Sequence, residues 1–350
     1  MLLRIVAISL LFGIPGTTQA NEPTPQDATK AILAAFDKYE VVGMHSAHGS
    51  KDVDDYILAL IRDPAFPGKL NDIVVECGNS LYQGTLDRYI AGEDVPLREV
   101  QQVWRNTTQL MCSLSGFYEQ LFPLVRQVNQ RLPVRKRIRV LAADPAFDWS
   151  QVKSSPDIPR DRDSSIVSVM IKEVLAKKRK ALMLFGLMHL LHGLPMNPSR
   201  MEMPMRATAV TLYEQTYPGL TFVVIPHRGF GTFSNLEGKN AGLEARMTSW
   251  PKPSLISVNG TWLGDLGVAY FFQVPETWKD RPLAGFADAF LYLGPRDSLS
   301  HESTPSSILD DTEYVDELRR RAALGGSSFS RFDPDAIRKA DANPSFYPPR

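Results

Sequence analysis

Short β-branched and aliphatic runs alternate along this chain with segments whose apolar residues recur at helical spacing, and that alternation restricts the fold more than any other feature. The apolar run ending at Val42, then "DIVVECG", "RIRVLAAD", "ALMLFGLMH" and "LTFVVIPHRG" read as five strands. Between and around them, "QDATKAILAAFDKY", "KDVDDYILALIRD", a long stretch from about Pro96 to Leu132, "SSIVSVMIKEVLAKKRK" and "ATAVTLYEQTYPG" read as helices. Parallel strands need crossover connections, usually helical, so the pattern predicts an α/β fold. Its central sheet should be mainly parallel or mixed, flanked by helices, with a pocket at the C-terminal ends of the strands.

The chain begins "MLLR", continues with the apolar run "IVAISLLFGI" and reaches small residues before Asn21, the pattern of a secretory leader over residues 1–20. Residues 21–300 then form the predicted α/β domain, and residues 301–350, rich in polar residues, proline and charge, read as a peripheral C-terminal extension. No segment is as long as the roughly 20 apolar residues of a membrane span, so no stable membrane insertion is expected after leader removal. With 39 basic and 39 acidic residues the chain has no electrostatic footprint for nucleic acid. The expected address is exported, periplasmic or extracellular, where Cys77 and Cys112 are free to form a disulfide; a buried free pair is the other reading.

Each predicted strand exit carries a titratable residue. His45 and His48 follow the first strand, Glu76 closes the second, Asp144 the third, His189 the fourth and His227 the fifth. Ligands of open α/β sheets bind outside the carboxyl ends of the strands, so these residues point to one shared site. Ordinary roles stand beside that reading: His45 and His48 as turn and capping residues, His189 as a core histidine bonded to backbone, Arg162 and Asp163 as a helix-start pair, and His301 as a solvated tail residue.

The combination "HSAHG", "VVE", "AAD", "RDSSIVSVMI" and "LFGLMHLLHG", followed by "FADAFLYLGP", resembles the erythromycin esterase-like family within the haem-uptake and Tiki superfamily. The match is scattered from about Tyr39 to Pro295. Its first motif, Gly-Glu-x-x-His-Gly, falls on His48 and Gly49 and meets His45 where the family has glutamate. A second family histidine falls on Gly186, and the family's Arg-x-x-Asn stretch on Arg126 and Asn129. The resemblance implies a hydrolase of an ester or related carbonyl substrate, with His48 activating water, Glu76 stabilising its imidazolium, Arg162 balancing charge on the intermediate, and His189 positioning water or protonating the leaving group; Asp144 completes the set.

Two alternatives stay open at this point. His45, His48, Glu76 and His189 are a donor set suited to one divalent transition metal, as in the superfamily's metal-dependent peptidases, which admits a small-molecule or peptide substrate. A non-catalytic haem or metal site, with His189 or His192 as axial ligand or Met196, Met201, Met203 and Met205 holding soft metal, is the other.

Overall fold

The computed structural model describes residues 21–46, 49–193, 207–230, 241–272, 274, 278–325 and 328–342. The expected leader, His48 and the methionine-rich loop lie outside the described residues. Eight strands form one sheet: β1 (Gln26–Asp27), β2 (Val41–His45), β3 (Asp72–Asn79), β4 (Arg139–Asp144), β5 (Ala181–Phe185), β6 (Thr221–Pro226), β7 (Ser254–Ser257) and β8 (Ala289–Tyr292). Their spatial order is β1-β7-β8-β6-β2-β5-β3-β4. The pairs from β8 through β6, β2, β5 and β3 to β4 are parallel, while β7 pairs antiparallel with both β8 and β1. The α/β fold with a mixed sheet is therefore as the alternation predicts. The short β1, β7 and β8 escape the sequence reading.

Helices cover both faces. Those used below are α1 (Ala28–Ala35), α2 (Lys51–Arg62), α3 (Gln83–Ala91), α4 (Leu97–Arg105), α5 (Leu110–Ser113), α6 (Phe117–Gln130), α7 (Arg162–Val169), α8 (Leu187–Leu190), α9 (Ala209–Glu214), α10 (Ala241–Met247) and, nearer the C-terminus, α11 (Trp262–Asp265), α12 (Ser306–Leu309) and α13 (Thr312–Ala323). Strand alternation divides the core between the two faces, because successive side chains point to opposite sides. Ile73, Val75 and Cys77 of β3, with Leu182 and Leu184 of β5, pack on the side of α1 to α4 and α6. Val74, Ala181, Met183 and Phe185 pack on the side of α7 to α9. Burial on both faces explains why these strands are near-continuous apolar runs.

The stretch from Pro96 to Leu132 is not one long helix. It breaks into α4, α5 and α6, and the breaks fall at "NTTQ" and "LSG". Asparagine and threonine compete for backbone hydrogen bonds, which favours the first interruption. Likewise, the segment after α7 continues as a π-helical turn over Met170–Val174 and a short 3-10 turn over Leu175–Lys177.

Cys77 and Cys112 are joined by a disulfide that ties α5 to β3 immediately after Glu76. At the next residue, Gly78, a Cβ would lie 2.8 Å from Ala142 Cα, so only glycine lets β3 approach β4 this closely. A third apolar cluster brings residues of the C-terminal segment, Leu318 and Phe329, against Leu110, Trp149, Val152 and Ile158. Arg321 reinforces it, donating to Arg105 O at 2.7 Å and Asn106 Oδ1 at 2.6 Å beneath the Trp149 ring. Leu318, Arg321 and Phe329 of the C-terminal segment thus share packing with the α/β layers.

Replacing both cysteines by serine should lower unfolding stability by about 2–4 kcal/mol, given the 35-residue separation they bridge. Urea titration of wild type and the double variant, each under oxidising and reducing conditions, checks it. The wild type alone should respond to reductant.

Candidate functional site

Strand alternation directs Glu76 to the same side as Val74, the side covered by α7. The helix α7 begins at Arg162, with Asp161 as N-cap accepting from Ser164 N, and this start turns the Arg162 side chain inward rather than to solvent. Its guanidinium spans two strands. Nη1 donates to Glu76 Oε1 of β3 at 2.8 Å, and Nε donates to Asp144 Oδ1 of β4 at 2.6 Å. Glu76 is 3% exposed and Asp144 1%, so both charges depend on this cation.

The remaining carboxylate oxygens are also held. Gly186 N, just beyond β5, donates to Glu76 Oε2, and Thr108, in the break between α4 and α5, donates to Asp144 Oδ2 through its backbone N at 2.8 Å and its Oγ1 at 3.1 Å. His189 on α8 completes the group. Its Nδ1 donates to Asp163 Oδ1 at 2.8 Å, while Nε2 lies 3.5 Å from Glu76 Oε1 and 3.4 Å from Arg162 Nη1.

Electrostatics give these groups distinct states. Burial opposes a charge on His189, but the Glu76 carboxylate and the Asp163 hydrogen bond outweigh it and push the pKa up to about 9. His189 is therefore an imidazolium at neutral pH, a proton donor and not a base. Burial raises the Asp144 pKa, with the Arg162 charge and the Thr108 hydrogen bond countering only part of it. Burial likewise works against the Arg162 cation, and Glu76 and Asp144 more than compensate, so it stays charged. One donor group remains unspent: Arg162 Nη2 is buried with no hydrogen-bond partner among the described residues.

The structure thus brings together Glu76, Asp144, Arg162 and His189 of the residues expected from sequence, with Asp163 now a direct partner. Glu76 lies inside β3, which runs on to Asn79 through a register irregularity, not at a strand end. His45 is the last residue of β2, 7% exposed, with Nδ1 3.3 Å from Phe185 O across the β5 pairing. His227 does not join the group: its Nε2 pairs with Glu244 Oε2 of α10 at 3.0 Å, among Phe230, Phe290 and Tyr292. Arg126 and Asn129 are structural. Arg126 caps α3 through Tyr89 O and Gly92 O, both at 3.0 Å, and Asn129 bonds Ile138 N and O, both at 2.8 Å.

Of the four residues expected to hold a metal, His48 lies outside the described residues. Among the described residues no three His, Cys, Asp or Glu side chains gather as metal ligands. The Glu76 oxygens are engaged by Arg162 and Gly186, and a buried cation already sits beside His189. His192, named in the haem reading, has both ring nitrogens engaged, with Nδ1 3.0 Å from Glu214 Oε2 and Nε2 2.9 Å from Asp288 Oδ2. Burial opposes the His192 charge, yet Asp288 and Glu214 push its pKa up to about 9. Sequence reasoning missed Thr108, which was hidden in an apparently continuous helix, and the Gly186 amide, which no side-chain pattern can reveal.

Replacing Arg162 by methionine should cost about 3–5 kcal/mol of stability by leaving two buried carboxylates without a cation, and adding Glu76→Gln should recover part of the loss in denaturant titrations. The two raised histidines also give a sign for pH. Both pKa values exceed the ordinary 6.5, so the stabilisation is complete below pH 6.5 and is lost as pH rises from there through 9. The loss should be on the order of 3 kcal/mol per histidine. Unfolding free energies at pH 6 and 9.5 should differ less in His192→Gln than in wild type.

No family model matches this chain, and no curated protein matches it. Two solved structures share its architecture. The crystal structure of a Bacillus cereus protein superposes with a TM-score of 0.51 at 12% identity, covering 81% of this chain and 97% of its own. That of a succinoglycan biosynthesis protein gives a TM-score of 0.54 at 10% identity, covering 78% and 94%. At such identities the likeness establishes the α/β fold and nothing finer.

Proposed function

We propose that this chain is an exported hydrolase of an ester or related carbonyl substrate, acting at the Glu76, Arg162 and His189 cluster, in keeping with its resemblance to the erythromycin esterase-like family. The observation that carries the reading is the pairing of a buried guanidinium, with Nη2 unspent among the described residues, and a cationic His189 in one low-dielectric site. Fixed donors of this kind stabilise negative charge developing on a carbonyl oxygen without reorganising.

In this reading His48 takes a proton from water as the oxygen attacks the carbonyl carbon. The oxyanion is stabilised by Arg162, whose orientation is set by Glu76 and Asp144. Collapse breaks the carbon to leaving-oxygen bond, and His189 delivers its Nε2 proton to the departing alkoxide. His48 and His189 then regain their starting states by proton exchange with solvent. Glu76 both holds Arg162 and supports the imidazolium charge of His189. The leader-like sequence pattern of residues 1–20 and the Cys77–Cys112 disulfide support this reading of export, since disulfides persist in oxidising compartments.

Hydrolysis of p-nitrophenyl and alkyl esters by the purified full-length protein tests the proposal. Glu76→Gln and His48→Ala should each lower kcat by about 10²-fold or more, the scale of general acid-base help. The kcat/KM profile should carry an alkaline limb near pH 9, where free His189 loses its proton, and His189→Gln should remove that limb. Equal turnover by wild type and all three variants would sink the hydrolase reading.

A further inference from the structure

The loop between β2 and α2 leaves the sheet beside the cluster, and its two ends are fastened from opposite directions. At the entry, Ser46 N donates to Phe185 O at 3.0 Å, which continues the β2 to β5 pairing. At the exit, a segment about 250 residues later in the chain pairs with Gly49, Ser50 and Lys51. Glu302 N donates to Gly49 O at 2.8 Å, Lys51 N donates to Ser300 O at 3.1 Å, and Ser50 and His301 form an isolated antiparallel bridge. Ser300 N additionally donates to Asp52 Oδ2 at 2.5 Å, in the first turn of α2.

Side chains add to this backbone clasp. Gly49 has φ +86°, and a Cβ there would lie 2.9 Å from His301 Cε1, so the imidazole edge rests where any other residue would place its side chain. Glu302 reaches the other way, accepting from Phe117 N at 2.7 Å and from Ser115 Oγ at 3.3 Å at the start of α6. Its carboxylate also faces buried Asp54 of α2, where burial first and Glu302 second raise the Asp54 pKa well above the ordinary range. Burial first, and then the charges of Glu76, Asp54 and Glu302, raise the pKa of the Tyr118 hydroxyl of α6.

We propose that Ser300–Glu302 is a positioning strap of the candidate site, with His301 seating Gly49 and Glu302 anchoring the strap to α6, so that the C-terminal segment sets the placement of Gly49 and Ser50 at the start of α2. The inference rests on the hydrolase reading for its effect on rate, and on geometry alone for its effect on the loop. His301 and Glu302 act through other residues and touch no reacting atom.

The test uses full-length His301→Ala, Glu302→Ala and Glu302→Gln. In ester hydrolysis, His301→Ala should lower kcat at least tenfold with KM within twofold of wild type and the melting temperature within a few degrees. Glu302→Gln keeps an acceptor for Phe117 N and should retain more kcat than Glu302→Ala. In parallel, amide NMR signals of Gly49 and Ser50 should shift or broaden in His301→Ala, while those of Thr108 and Gly186, at the far side of the cluster, stay in place. Unmoved Gly49 and Ser50 signals overturn the strap, as does a kcat within twofold of wild type. A wild-type protein without hydrolysis, together with displaced Gly49 and Ser50 signals, overturns the hydrolase reading and keeps the strap.

Discussion

A single guanidinium ties two neighbouring parallel strands together at the heart of the buried polar cluster. Arg162 stands between Glu76 of β3 and Asp144 of β4, and neither carboxylate reaches solvent. Buried charges of this kind persist only when paired and hydrogen-bonded, so the surrounding architecture has to supply every remaining partner. The two carboxylates receive theirs from Gly186 beyond β5 and Thr108 between α4 and α5, while His189 on α8, held by Asp163 of α7, lies alongside Glu76.

The other end of the sheet offers a comparison. Asp72, at the start of β3, is fully buried and receives paired donors from Arg139 and Arg179, at 2.7 to 3.1 Å. Two cations on one carboxylate leave no hydrogen-bonding capacity directed at a ligand. At the carboxyl end the balance is reversed, with two buried carboxylates on one arginine, a charged histidine alongside, and an Nη2 group still unspent among the described residues. The first arrangement locks a strand in place; the second keeps polarised donors ready in a low dielectric.

Long-range contacts also connect the site to segments that look independent in the sequence. The Cys77–Cys112 disulfide fixes the β3 residue next to Glu76 to α5, and so stabilises the break that presents Thr108. Arg321 and Phe329 pack the C-terminal segment against the same region through Arg105, Asn106 and Trp149. His301, solvated on a sequence reading, instead lies against Gly49. Such contacts join residues some 35 to 250 positions apart, and no local pattern encodes them.

The sequence by itself determined the α/β class and the five central strands, because burial on both faces imposes apolar runs such as "DIVVEC" and "ALMLF" that propensity and periodicity can read. It also placed Glu76, Asp144 and His189 toward one end of the sheet, because parallel crossovers send every strand exit the same way, while Arg162 entered only as a helix-start residue and through the family resemblance. Only the tertiary structure decided which of these groups touch, that His227 pairs elsewhere with Glu244, and that His189 carries a proton. The reason is physical: strand order, the interruption at Thr107 and Thr108, and the charge state of a buried imidazole depend on distances between segments remote in the chain, and those distances exist only after folding.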